Sequence, residues 1–414
     1  MIERYIVGTE NPSKKQLFWW NMVGSAVYAL ASMILTYMTI RMAGVAEGGI
    51  FAIGLTLAQM FVYIAYYEMR NFQVTDTKTT YSFGDYHGVK IVNCVIMIGI
   101  CGLYCIIKQY DAYKFLVVML VCLYRMLDGY ADVYEADFHN CGRLDLAGKS
   151  MCFRTVISVI VYFSLLFFTH NLLSAMCGAI LSGLLGIYVY NVLVMNCVGH
   201  IAVSWDKRKM TGIWKECFPL FLGMFLWTYL LSASRMAVDD VMTSDYQSYY
   251  QVLFLPVSVI NLFAGFVIRP SMDQLADYHA HGKYKLFWKK IGGIFGLIMF
   301  FTVICMVCAY GFGIPVLNIL AGCDLSEFRM LFVFLIFAGG INAAAYLLYS
   351  VLLIFRSGAS VLTGYVLASI LAFFISTQMV RKFALWGAGI SYMISIFVLA
   401  VIFVLCIIVL EKRE

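Results

Sequence analysis

The segment YRMLDGYADVYEADFHN, residues 124 to 140, carries Arg125, Asp128, Asp132, Glu135 and His139 inside an otherwise apolar run. On a helix advancing 100° per residue, these five side chains fall within an arc of about 80°, and Asp137 falls on the opposite side. Such a face can do two kinds of chemistry. A guanidinium fork grips phosphate or carboxylate oxygens in pairs. Two carboxylates one turn apart and away from water favour sharing a proton or holding a cation, and a nearby histidine could relay that proton. Asp132, Glu135 and His139 are also the nearest approach to a metal pattern, but one helix alone makes a poor cage. The competing reading is structural: Arg125 pairs with Asp128 or Asp132 on its own helix, and the stripe locks that helix to its neighbours.

Composition dictates the elements that position this face. Of 414 residues, 63% are hydrophobic and only 13% charged, with a mean hydropathy of +0.86, whereas soluble domains carry about 25% charged residues. So few charges cannot cover a water-exposed globule of this length, so lipid is the solvent for much of the chain and an all-α polytopic membrane protein is expected. At about 20 apolar residues per crossing, twelve spans are read near 18–40, 48–67, 89–107, 113–135, 151–169, 172–195, 213–235, 249–268, 287–310, 327–352, 359–378 and 385–410. The run after MIERYIVGTENPSKK is too long for a signal-peptide core and stays as the first crossing. Exposing Arg125, Asp128 and Asp132 of span 4 to lipid would cost roughly 8 to 10 kcal/mol in all, so the stripe turns inward. Only five prolines occur, among them Pro256 in span 8, which gives broken helices little support. The 13 cysteines sit mostly in apolar runs, the one CxxC pair, Cys305 and Cys308, included, as small buried hydrophobes do. P-loop, nucleophile-elbow and HExxH motifs are absent, so no enzyme is expected.

Twenty-one of the 29 lysines and arginines fall on the side holding both termini, 7 on the other, and Arg125 inside. Because positive loops stay cytoplasmic, both termini are expected in the cytoplasm. Arg41 and Arg235 then end spans 1 and 7 on the outer side, and Arg70 and Arg269 end spans 2 and 8 on the inner side. Each either sets topology by snorkelling or guards a mouth of one transport path. Arg41-Met42-Ala43 and Arg235-Met236-Ala237 recur with similar following elements, which suggests two parallel six-helix repeats: 1–198, a cytoplasmic linker at 199–212, and 213–414. Asn21, Ser25, Asn261 and Asn342 read as helix-bridging polar groups.

The stretches NMVGSAVYALASMILTYMTIRMAG, RNFQVTDTKTTYSFGDYH, EADFHNCGRLDLAGKSMCFR and FPLFLGMFLWTYLLSASRMAVDD through RPSMDQLADYH together resemble the polysaccharide and oligosaccharide-lipid flippases. That superfamily also holds the MATE drug exporters and lipid II flippases. The resemblance implies two six-helix lobes around a central cavity that opens alternately to either face. It further implies a bacterial inner-membrane protein that flips a polyprenyl-pyrophosphate-linked oligosaccharide for capsule or lipopolysaccharide biosynthesis. On this reading Arg125, Arg41, Arg70, Arg235 and Arg269 grip the anionic cargo. Asp128, Asp132, Glu135 and His139 take up a coupling proton or sodium ion. No cofactor and no nucleic acid are expected; the partners are the lipid-linked oligosaccharide, the bilayer and polysaccharide-assembly proteins. The alternatives are a cation-coupled exporter of small amphipathic compounds and a membrane-embedded polymerase or transferase.

Overall fold

Ser13 starts the first long helix. Its hydroxyl accepts from the Gln16 amide at 3.3 Å, and the Gln16 side chain accepts from the Ser13 amide at 3.0 Å, a reciprocal cap on α1, Lys14–Ala43. Gly44, at φ +98°, releases the chain into α2, Val45–Tyr66. Tyr67 and Glu68 are both left-handed, which ends α2 and re-aims the short α3, Met69–Thr75. A second reciprocal cap, Ser82 with Asp85, opens α4, Phe83–Ile107. Asp111 accepts from the Tyr113 and Lys114 amides, both at 3.0 Å, to cap α5, Ala112–Asn140. There follow α6 Leu144–Thr169, α7 Leu172–Ile187, α8 Leu193–Val198, α9 Lys207–Val241, α10 Ser244–Phe254, α11 Val257–Ile268, α12 Met272–Ala280, α13 Tyr284–Cys308, α14 Ile314–Ala321, α15 Arg329–Ile354 and α16 Gly358–Glu411.

This computed structural model describes residues 7–8, 12–76, 80–198 and 201–412. Arg4, Lys78 and Arg413, counted above for orientation, lie outside the described residues, as do His200, part of the 199–212 linker and much of the opening segment. Among the described residues, ten helical stretches are long and apolar enough to cross a membrane. The 29-residue α5 adds an eleventh, too charged to satisfy a purely apolar criterion. The 54 residues of α16 would run about 80 Å as one helix, far beyond a bilayer core. Ala384 (φ 51°, ψ −134°) breaks that stretch into two crossings, which brings the total to twelve. The chain is a multi-pass, all-helical membrane protein.

Helix breaks are more frequent than five prolines suggested. Prolines mark two of them, Pro256 after Leu255 and Pro270 in the 3-10 turn Arg269–Ser271. The others are the left-handed Tyr67–Glu68 pair, Ala384, and π turns at Tyr188–Val192 and Ala309–Gly313. The π turn at Tyr188–Val192 has no proline beside it, so proline content does not report it, whereas the one at Ala309–Gly313 runs into Pro315.

The chain divides into two compact units, residues up to Phe225 and from Leu226 on, with the division inside α9. In the first unit α5 is the hub, packed against α2, α3, α4, α6 and α7. In the second, α15 packs against α11, α13 and α16, and its Asn342 amide donates to Asn261 Oδ1 at 2.8 Å, bridging α15 to α11. These hubs are the fourth and tenth crossings, the same place in each half. Large apolar side chains such as Phe300, Phe373 and Val95 are more than 60% exposed, as lipid-facing surfaces require.

In the first unit α1 and α6 meet backbone to backbone. A Cβ on Gly148 would collide with the Trp20 carbonyl, and one on Gly24 with the Gly148 carbonyl. Small residues allow this close approach where no hydrophobic effect drives helices together. Gly148→Ala is therefore expected to lower stability by about 1–3 kcal/mol, read as the unfolding midpoint in detergent. Gly99→Ala, whose Cβ would meet nothing within 4 Å, should leave that midpoint unchanged. Equal effects would overturn this account of the crossing.

Candidate functional site

The inward face of α5 does not carry its charges alone. Arg125 donates from Nη1 to Asp128 Oδ2 at 3.2 Å, the pair on its own helix. From α6, Arg154 Nη2 reaches Asp128 Oδ1 at 2.9 Å and lies 3.6 Å from Glu135 Oε1. From α3, Arg70 Nη1 donates to Asp132 Oδ1 at 3.2 Å and to Glu135 Oε2 at 3.4 Å. From α4, Lys90 Nζ donates to Asp132 Oδ2 at 3.1 Å and to the Tyr66 carbonyl at 3.2 Å. Four cations from four elements thus meet three carboxylates of one helix. Arg125, Lys90, Arg154, Asp132 and Glu135 are each no more than 6% exposed. The Arg125 guanidinium also lies over the Tyr28 ring of α1 at 5.0 Å, and the Tyr28 and Tyr66 hydroxyls meet at 3.4 Å.

These side chains surround a cavity of about 250 Å³, lined by Tyr28, Tyr66, Arg70 and Arg154 together with Asp128, Asp132, Glu135 and Glu68. Glu68 accepts from Asn71 Nδ2 at 3.0 Å. Three buried polar atoms of the cluster lack a hydrogen-bond partner: Arg125 Nε, Arg154 Nη1 and Glu135 Oε1. A buried polar atom left unmatched costs about 1–3 kcal/mol, more when charged, so the cluster holds capacity for a polar or ionic guest. Two donors face an anion's needs; one carboxylate oxygen faces those of a proton or cation.

The stripe on span 4 is therefore inward for Arg125, Asp128, Asp132 and Glu135, with His139 as the exception. His139 is exposed near the end of α5, one turn beyond Glu135. Of the other four arginines, only Arg70 joins it. Arg41 and Arg269 are exposed, although Arg41 has interactions of its own. Arg235 is buried in the second unit and takes no part in the first unit's cluster. It donates to Gln251 Oε1 at 3.4 Å, the Leu231 carbonyl at 3.2 Å and Ser232 Oγ at 3.4 Å, with its guanidinium 4.9 Å from the Phe254 ring.

Sequence reasoning missed Lys90 and Arg154, which it counted among topology-setting charges at span ends. Their place follows from where the helices start. Spans beginning at 89 and 151 leave both at the membrane edge. Helices beginning at Phe83 and Leu144 put Lys90 two turns and Arg154 nearly three turns inside. The Ser82-x-x-Asp85 capping pattern was the available signal for the first.

No protein-family model matches the chain. It is similar to the capsular polysaccharide biosynthesis protein CapF of Staphylococcus aureus, 21% identical over 394 residues, 92% of this chain and 96% of that one. Among solved structures it is similar to an inward-facing multidrug resistance MATE family transporter of the MOP superfamily. The TM-score is 0.59 at 11% identity, covering 100% of this chain and 99% of that one. A MOP superfamily transporter from Pyrococcus furiosus, described by the reverse polarity of its binding pocket, gives 0.57 at 10% identity over 100% and 96% of the two chains. At such identities the likeness is one of fold, so the chain has the fold of the MATE transporters of the MOP superfamily.

Proposed function

We propose that the chain flips a polyprenyl-pyrophosphate-linked oligosaccharide from the cytoplasmic to the outer leaflet of the bacterial inner membrane, by alternating access, for surface-polysaccharide biosynthesis. It works as a transporter rather than an enzyme, with both termini in the cytoplasm and polysaccharide-assembly proteins as its partners. The observation that carries this reading is the charged cavity of the first unit, where Arg70 and Arg154 stand among carboxylates they can exchange for an anionic guest, with an unmatched N–H group on Arg154 and another on Arg125 of the same cluster. The end-to-end similarity to a capsular polysaccharide biosynthesis protein supports the cargo class, and the transporter fold of the structural neighbours supports the kind of work.

The chemistry is an exchange of counter-ions. In the resting cavity the carboxylates of α5 neutralise the guanidinium groups of Arg70, Arg125 and Arg154. A pyrophosphate offers those forks denser charge in paired geometry, and so competes with Asp128, Asp132 and Glu135 for them. A carboxylate displaced from its arginine away from water favours the neutral form and takes up a proton. Each proton taken up offsets one of the two negative charges that a pyrophosphate diester brings into the cavity. Arg70, whose side chain is 30% exposed, is the fork that cargo reaches first.

Two tests follow. Arg154→Ala takes one of two cationic partners from each of Asp128 and Glu135, leaving Arg125 and Arg70, and is expected to lower membrane abundance. Arg154→Ala with Glu135→Gln removes one charge of each sign and keeps the Arg125–Asp128 pair and the pairs of Asp132 with Arg70 and Lys90, so abundance should recover while surface glycan stays at least about tenfold down, equivalent to about 1.4 kcal/mol. Recovery of export along with abundance would reduce the cluster to a structural lock. In proteoliposomes, Asp128→Asn or Asp132→Asn should remove the dependence of cargo transport on the proton or sodium gradient. Unaltered dependence in both variants rules these carboxylates out as coupling groups.

A further inference from the structure

A second cavity, of about 460 Å³, lies in the second unit between the α11–α12 region and the first turns of α13. One end is polar, with Ser271, Tyr278, Lys289 and Lys290, and the other is walled by Val267, Ile294 and Leu297. Lys289 is exposed and Lys290 half-buried; among the described residues neither has a carboxylate within ion-pair distance. Tyr278 accepts from Gln274 Nε2 at 2.6 Å, which leaves its hydroxyl proton free to donate into the groove. Gly293 keeps the floor open, since a Cβ there would meet nothing within 4 Å.

From that floor an apolar stripe runs on along α13. Leu297, Phe300, Ile304 and Val307 are 45%, 65%, 43% and 68% exposed and share one helical face with Gly293. From residue 293 to 304 the helix rises about 16 Å, roughly half the thickness of a hydrocarbon core. The basic end lies in the segment that holds Lys283, Lys285, Lys289 and Lys290, a positive cluster of the kind that stays cytoplasmic.

We propose that this groove is a binding site for an anionic phospholipid of the cytoplasmic leaflet. The phosphate sits between Lys289, Lys290 and the Tyr278 hydroxyl, and one acyl chain lies along Leu297, Phe300 and Ile304. Two lysines without counter-ions select a headgroup of net negative charge, because the ammonium of a zwitterionic lipid would be repelled by them. The apolar track selects a lipid over a soluble phosphate. The site is separate from the charged cluster of the first unit and does not depend on the cargo assigned there.

The test is native mass spectrometry of the detergent-purified full chain, titrated with phosphatidylglycerol and with phosphatidylcholine of identical acyl chains. The expected result is tighter binding of the first phosphatidylglycerol. K289Q/K290Q should lower that affinity about 10- to 30-fold and erase the preference, and Gly293→Leu should weaken both lipids by filling the floor. Equal binding of the two lipids by the unaltered chain, or a preference that survives K289Q/K290Q, would overturn the proposal. So would displacement of phosphatidylglycerol by glycerol 1-phosphate at equal concentration, which would mark a phosphate site without a lipid track.

Discussion

A charge that cannot reach water must find its opposite, and this rule governs how the first unit is assembled. Helix α5 carries a guanidinium and three carboxylates into a region where each alone would be costly to bury. Their partners come from elsewhere: Arg70 from α3, Lys90 from α4 and Arg154 from α6. Rotating any one of these helices by a third of a turn would strand its own charge and take one partner from a carboxylate of α5. Few neighbouring arrangements satisfy every pair, so the cluster specifies one packing of α5 against its neighbours as well as lining a cavity. The pairs that Arg70 and Arg154 make with Asp128, Asp132 and Glu135 both lock the bundle and line the cavity.

The second unit solves the same problem of helix association without charge. Its hub, α15, approaches its neighbours through small residues: a Cβ on Gly339 would crowd Val257 of α11, and one on Gly340 would crowd Thr302 of α13. Close approach and the Asn261–Asn342 amide bridge replace ion pairs as the glue. The two halves thus place their hubs at the same crossing and fill them with different chemistry. Ionic capacity is concentrated in the first, and Arg235 is the second unit's buried exception, with Gln251, Ser232 and a backbone carbonyl in place of an acid.

Backbone breaks do part of the positioning. The left-handed Tyr67–Glu68 pair costs conformational strain for two residues with side chains. It turns α3 back toward α5, which brings Arg70 to Asp132 and Glu135 and sets Glu68 at the edge of the cavity. An uninterrupted α2 would have carried Arg70 onward to the membrane surface, where a snorkelling role would have sufficed.

The sequence by itself determined that the chain crosses a membrane, how many times it does so, and that one face of α5 turns inward. Each of these follows from local quantities: apolar run length, and the angular spacing of charges on a single helix. Only the tertiary structure decided which charges meet. Lys90 and Arg154 belong to the cluster because α4 and α6 begin one to two turns earlier than their apolar runs, and Arg70 because of a backbone reversal that leaves no mark in hydropathy. Arg41, Arg269 and His139 fall outside it because a residue's depth and facing depend on where its helix starts and which neighbour it packs against. Helical periodicity gives direction around one axis, and a charged cluster built from four elements requires the relation among four axes.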